Sequence, residues 1–199
     1  FWPFWHSLGV SQYVQDVICK GHTLPFVSGP PTFTRVRQTT LNRAKEQDQV
    51  LLEEIQALLS KEAVEVVPPQ NRANGWYGHY FLVPKKTGGW RPILNLRPLN
   101  RTLRVETFKM ETLRNVIQAS QPGEWLASID LKDAYFHVPV LRSHRKYLRF
   151  AVQGVAYQYR VLPFGLSTSP RIFTKVLSPV IAHLRLQGIH VHPYLDDLL

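Results

Sequence analysis

The closing stretch Gly188-Ile189-His190-Val191-His192-Pro193-Tyr194-Leu195-Asp196-Asp197-Leu198-Leu199 limits the possible folds more than any other part of the chain. Ile189 and Val191 alternate with His190 and His192, the period of a half-buried strand, and an aromatic residue and two adjacent acids follow. The Asp-Asp pair is therefore expected at a hairpin tip. Neighbouring carboxylates repel each other unless they are solvated or share a cation, and hard oxygen donors of this kind suit Mg²⁺ or Mn²⁺. A solvated turn accounts for the dipeptide taken alone, so its meaning depends on the remaining residues.

With 199 residues, 44% hydrophobic and 12% aromatic, the chain can bury one large core or two small ones. A formal charge of +10 and a pI near 9.9 favour a polyanionic partner, nucleic acid before an acidic membrane. Cys19 is the only cysteine, which excludes a disulfide framework and a cysteine-based zinc cluster and points to an intracellular protein, cytoplasmic or nuclear and not secreted. No apolar run approaches the roughly 20 residues that cross a bilayer, and no signal peptide is recognisable, so no membrane partner is expected. The chain begins without methionine and stops where the hairpin's return strand is due, so both ends are expected to be cuts.

Residues 1–40 are rich in aromatics and broken by Pro3, Gly9, Gly21, Pro25 and Gly29-Pro30-Pro31; short helical pieces and a docking surface are expected there, with no assigned site. From Leu41 to Lys61 apolar residues recur at spacings of three, four and seven, the pattern of an amphipathic helix. Ala63 to Val67 and Tyr77 to Val83 read as strands. Val83 to Ile93 reads as a hairpin around Gly88-Gly89, with Lys85, Lys86 and Arg91 able to fold cations over phosphate oxygens. Glu111 to Ser120 predicts a short helix with Leu113, Val116 and Ile117 on one face. Trp125 to Asp130 predicts a buried strand that ends in an acid, and desolvating that acid demands an arginine or a metal. Tyr147 to Val152 and Val155 to Leu162 predict a hairpin around Gly154. Ser169 is expected to cap a helix that runs, kinked at Pro179, to Gly188.

Asp130 and the Asp196-Asp197 pair each close a β-prone segment, and neighbouring strands would bring the acids together. Three carboxylates beside a basic hairpin fit two-metal phosphoryl or nucleotidyl transfer. His190 and His192 have no third ligand nearby in sequence and are expected to pack or face solvent. Pro193 cannot donate a ladder hydrogen bond and demands an edge or a bulge.

Taken in order, Val83 to Asn100, Ser128 to Val140, Leu162 to Phe173 and Tyr194 to Leu198 resemble the reverse transcriptases of long-terminal-repeat-type retroelements. The Leu-Pro-Phe-Gly-Leu-Ser block resembles that of gypsy-like and especially DIRS-like retrotransposons. The resemblance covers about Leu41 to Leu199. It implies an α+β right-hand polymerase fold truncated before the thumb, with an N-terminal extension over 1–40, a fingers-like part over 41–121 and an incomplete palm over 122–199.

It also implies that Asp130, Asp196 and Asp197 are catalytic and, with the carbonyl of Leu131, hold two Mg²⁺ ions, Mn²⁺ being an alternative. Lys85, Arg91 and the amides of Asp133 and Ala134 would meet the triphosphate of a deoxynucleotide. Tyr135 would exclude a 2′-hydroxyl, and Phe164 and Gly165 would shape the nucleotide pocket, with Gly165 also on the template path. Tyr194 and Leu195 would flank the primer terminus. The implied partners are an RNA or DNA template with its primer and deoxynucleoside triphosphates; oligomeric state is not implied. The alternative reading is a catalytically inactive, co-opted or decayed fragment that binds nucleic acid or a protein. A viral RNA-dependent RNA polymerase is disfavoured by Tyr135 and by the Tyr194-Leu195-Asp196-Asp197 context.

Overall fold

Leu51, Ile55 and Leu58 share one face of a helix and are all buried, each contributing about 1.5–3 kcal/mol to the core. In this computed structural model, which describes residues 2–40, 45–86, 88–120 and 123–199, the helices and strands in chain order are α1 (Trp2–Ser7), α2 (Gln12–Lys20), β1 (Gln38–Thr39), α3 (Lys45–Ser60), β2 (Val64–Val66), β3 (Tyr80–Pro84), β4 (Trp90–Leu94), α4 (Arg97–Asn100), α5 (Leu113–Ala119), β5 (Ile129–Asp130), β6 (Arg149–Val152), β7 (Val155–Tyr159), α6 (Ser169–Leu186), β8 (Pro193–Tyr194) and β9 (Asp197–Leu198). Short 3₁₀ turns cover Pro69–Asn71, Ala134–His137 and Arg142–Tyr147. Leu41 and Ala44 of the expected helix, Phe1 and Pro122 lie outside the described residues.

The central sheet has the order β1-β6-β7-β2, with β1 parallel to β6 and the other pairs antiparallel. Every residue of β6 is buried, and Phe150 stacks on Tyr80 of β3 at 4.4 Å and on Tyr157 at 5.3 Å. The β6–β7 turn runs through Gln153 and Gly154, both at positive φ, as a tight hairpin demands. β3 and β4 form their own two-stranded hairpin, and α3 packs against β4. A third sheet, β5-β9-β8, carries the acids.

The N-terminal residues do not stand free. Val14, Val17 and Leu24 are buried, His22 bridges to Val140, and α2 packs on α6, where Lys175 sits 5.0 Å over the Tyr13 ring. Gln38 and Thr39, not expected as a strand, pair with Ala151 and Val152. The extension is therefore tied to α6 through α2 and to the central sheet through β1.

Four further expectations are corrected. The run from Trp125 to Ile129 is not a buried strand: only Ile129 and Asp130 pair, Trp125 is fully exposed, and Leu126 and Ile129 are 61% and 57% exposed. β5 is only two residues long and sits at the edge of its sheet, and an open cavity shared with Leu184, Ile189 and Val191 leaves its apolar side chains only partly covered. Ser169 is the first helical residue and not the cap; its hydroxyl donates to the Pro163 carbonyl at 3.0 Å, and Thr168 takes the cap position. On α5, capped by Thr112, Ile117 turns outward. The return strand after Asp196 is present, since Asp197 and Leu198 pair with both β8 and β5.

Candidate active site

Tyr194 pairs with Asp197, so Leu195 and Asp196 form a two-residue turn, with Leu195 at φ 56°. Pro193 is tolerated because β8 is an edge strand. β9 lies between β8 and β5, and its register sets Asp197 directly opposite Asp130. Directly opposed residues share a face of the sheet, so these two side chains are cross-strand neighbours. The Leu131 N–H donates to the Asp196 carbonyl at 2.8 Å, which ties the tip of the hairpin to the end of β5. Asp196 lies toward Tyr135: burial first, and the Asp196 charge second, push the Tyr135 phenol above its ordinary value.

The fold thus brings two carboxylates face to face and fixes the third beside Leu131 through the backbone. Among the described residues no three acidic, histidine or cysteine side chains stand together as a metal-holding group. Nor does any described side chain pair with Asp130, Asp196 or Asp197, so of the two partners open to Asp130, an arginine or a metal, no arginine stands there among the described residues, and Asp130 is exposed. Unneutralised carboxylates of this kind fit a hard divalent cation in donor chemistry.

Past Leu131 the chain turns sharply. Asp133 adopts a left-handed conformation at φ 54°, and its carboxylate takes Lys61 at 2.9 Å. The N–H groups of Asp133 and Ala134 meet no backbone acceptor among the described residues. Tyr135 is buried, with Phe164 at 5.0 Å and Phe173 at 5.7 Å. Phe164, 52% exposed, leans on Tyr135 and Phe136 and presents an aromatic face to solvent.

Gly165, at φ 86°, gives its carbonyl to the Asn100 amide at 2.8 Å, and Asn100 in turn accepts from the Ser167 N–H at 2.9 Å. Asn100 and Lys61, which touch Gly165 and Asp133, are two neighbours of the candidate site that the sequence did not single out. Asn100 closes the basic-hairpin block, a faint signal, whereas nothing in the sequence links Lys61 to Asp133.

Lys85 and Arg91 are exposed on the β3–β4 hairpin, where Val83 pairs with Arg91 and the Lys85 N–H donates to Gly89 at 3.0 Å. The hairpin displays both cations to solvent and does not join them to the acids by any described contact. Tyr194 is half exposed beside Leu195. His190 lies 3.8 Å from Glu124 and His192 3.7 Å from Glu111, so the two rings pair with separate acids and not with one ion.

A family model described as reverse transcriptase (RNA-dependent DNA polymerase) matches residues 83–199. The Transposon Tf2-3 polyprotein of Schizosaccharomyces pombe is 27% identical over 119 residues, which are 60% of this chain and 9% of that protein. The Pol polyprotein of equine infectious anemia virus is 29% identical over 160 residues, 73% of this chain and 13% of that one. The chain thus spans only a small part of these relatives. The prototype foamy virus protease-reverse transcriptase crystal structure has a similar fold, with TM-score 0.62 at 21% identity over 91% of this chain and 22% of that one. The foamy viral protease-reverse transcriptase in complex with dsDNA gives 0.67 at 18% identity over 89% and 35%. No helix among the described residues is long and apolar enough to cross a membrane.

Proposed function

The chain belongs to the reverse transcriptase (RNA-dependent DNA polymerase) family, and from that premise we propose that it carries the fingers and palm of an RNA-directed DNA polymerase of a retroelement. In this reading residues 41–121 are fingers-like and 122–199 palm-like. The observation that carries it is the pairing of Asp130 with Asp197 beside an Asp196 that faces the buried Tyr135. The reaction is attack by a primer 3′-hydroxyl on the α-phosphorus of a deoxynucleoside triphosphate, with pyrophosphate leaving, on an RNA or DNA template.

Each residue has one task. Asp130, Asp196, Asp197 and the Leu131 carbonyl would hold the divalent cations, Mg²⁺ or Mn²⁺, on which this family generally relies. Such cations neutralise charge on the phosphates and lower the pKa of the attacking hydroxyl. Lys85 and Arg91 grip the triphosphate as the hairpin closes, and the free amides of Asp133 and Ala134 donate to the same oxygens. Lys61 holds the Asp133 carboxylate away from those oxygens and so keeps a like charge out of the phosphate path. The Tyr135 ring lies under the sugar, Phe164 and Gly165 bound the base and template, and Tyr194 with Leu195 supports the primer end. Template and primer are held mainly through their backbones, because sequence is read by base pairing. The dsDNA bound by the foamy viral relative supports a nucleic-acid duplex as the partner.

Primer extension with deoxynucleotides and Mg²⁺ tests the reading. Asp196→Asn or Asp130→Asn should cost about 10³-fold in rate, and chelation of the metal should stop extension reversibly. Duplex binding without any nucleotide addition under Mg²⁺ or Mn²⁺ would instead leave an inactive binding protein.

A further inference from the structure

A cavity of about 430 Å³ opens between the N-terminal arm and the start of α6, and it shares no residue with the acids. Three polar atoms of residues lining it, His22 Nε2, Ser167 Oγ and Thr168 Oγ1, are buried and have no hydrogen-bond partner. His22 is only 4% exposed and Thr168 only 6%. Buried polar atoms are seldom left unpaired unless a ligand or ordered water completes them.

The His22 backbone is fixed on both sides, its N–H donating to Pro139 at 2.7 Å and its carbonyl accepting from Leu141 at 3.0 Å, so the ring is held in place. Thr168 caps an 18-residue helix with its carbonyl, which accepts from the Ile172 N–H at 3.1 Å, while its hydroxyl bonds no helical N–H, and the first turn of that helix lines the same space.

The charges around the cavity select the sign of the ligand. Its two acids are already neutralised, Asp16 by Lys20 at 2.7 Å and Glu106 by Arg171. Arg104, on the rim, has no ion pair among the described residues. Burial, with His144 and Arg171 adding positive charge nearby, lowers the His22 pKa to about 4, so the ring is neutral at pH 7 and can donate one N–H. What remains is one free guanidinium fork, one imidazole N–H, two hydroxyls and a helix N-terminus, a donor set with no unpaired acceptor charge.

We propose that this cavity is an oxyanion site that takes a phosphate group, either a backbone phosphate of bound nucleic acid or a free phosphate, between the N-terminal extension and α6. The site stands independently of the polymerase reading. It gives the extension a task of its own, joining a ligand to the helix that supports Tyr135 through Phe173.

The test follows the His22 ring by NMR as inorganic phosphate, and separately a short single-stranded oligonucleotide, is added to the whole chain. Bound anion should raise the His22 titration midpoint by about one unit or more, since the charged ring becomes favourable beside an oxyanion. Arg104→Gln, an exposed change, and Thr168→Val, a near-isosteric one, should each weaken the apparent affinity about tenfold, with thermal melts confirming that both variants fold. A shift with the oligonucleotide identifies the nucleic-acid backbone as the source, and a shift with inorganic phosphate alone identifies a free phosphate. If neither addition moves His22, or if both variants respond like the parent, buried water fills the cavity and the proposal fails.

Discussion

At the residue scale, chemistry written in residue type is the part most easily read from sequence. Three aspartates at strand ends, a lysine and an arginine astride a Gly-Gly turn, and a tyrosine after the first acid declare their class without a structure. Their pairing is less legible. That Asp197, and not Asp196, stands opposite Asp130 follows from a two-residue turn with Leu195 at positive φ, which composition does not encode.

Tyr135 offers a direct probe. Its ring is held by Phe164 and Phe173, so Tyr135→Val should open space beneath the sugar and raise ribonucleotide use relative to deoxynucleotide use by about 10²-fold. Competitive single-nucleotide incorporation reads this ratio, and an unchanged ratio would remove Tyr135 from the pocket.

Arg149 is a residue whose importance only the structure reveals. Nearly fully buried, it donates to the carbonyls of Asn71 at 2.8 Å and Asn74 at 3.1 Å and to the Gln158 amide oxygen at 2.9 Å. Arg149→Met would strand these acceptors and should cost about 3 kcal/mol in chemical denaturation. Gly75→Ala should act through the same group, because a Cβ there would lie 2.4 Å from the Arg149 Nη1.

At the element scale, helices and hairpins with a clear period emerge where expected, and errors gather where a segment lacks a covering layer. Trp125 to Ile129 carries the composition of a buried strand, but burial needs a layer packed on the face of the sheet, and here Trp125, Leu126 and Ile129 line an open cavity instead. Ser169 misleads for a related reason. Its hydroxyl is drawn to Pro163, so the helix begins one residue earlier than its capping pattern suggests.

The β3–β4 hairpin ties sequence to mechanism at this scale. Gly88 and Gly89 both sit at positive φ, and a side chain there costs about 1 kcal/mol or more. Gly89→Ala should therefore loosen the turn that carries Lys85 and Arg91, raising KM for the incoming nucleotide several-fold and lowering the melting temperature by about 2–4 °C.

The packing of β3 on the central sheet makes a second prediction. The hydroxyls of Tyr80 and Tyr159 bond to each other, and burial first of all pushes both phenols far above their ordinary 10.0. A phenol whose folded pKa is raised contributes stability below the unfolded value, and that contribution is lost as pH rises beyond it. Denaturation midpoints should thus hold up to about pH 10 and fall above it. In the Tyr80→Phe, Tyr159→Phe double variant the alkaline fall should be shallower.

At the scale of the whole molecule, the net charge of +10 is unevenly spread. From Lys85 to Lys109 seven exposed cations, Lys85, Lys86, Arg91, Arg97, Arg101, Arg104 and Lys109, accompany a single acid, Glu106, which Arg171 neutralises. The carboxylates of the candidate site lie elsewhere in the chain, so the proposed function assigns duplex capture and chemistry to different residues, and experiment can separate the two. Neutralising about six phosphates would release their counterions, and duplex affinity should fall roughly 10³-fold between about 50 and 200 mM salt. Arg101→Gln should lower the slope of log affinity against log salt by about one and weaken all duplex sequences alike, because a phosphate contact reads no base. Asp130→Asn should leave that slope unchanged while slowing extension about 10³-fold. Fluorescence anisotropy across a salt series measures both. A slope near zero, or one that Asp130→Asn alters as much as Arg101→Gln does, would mean that the basic segment is a solvated surface and that the duplex is held elsewhere.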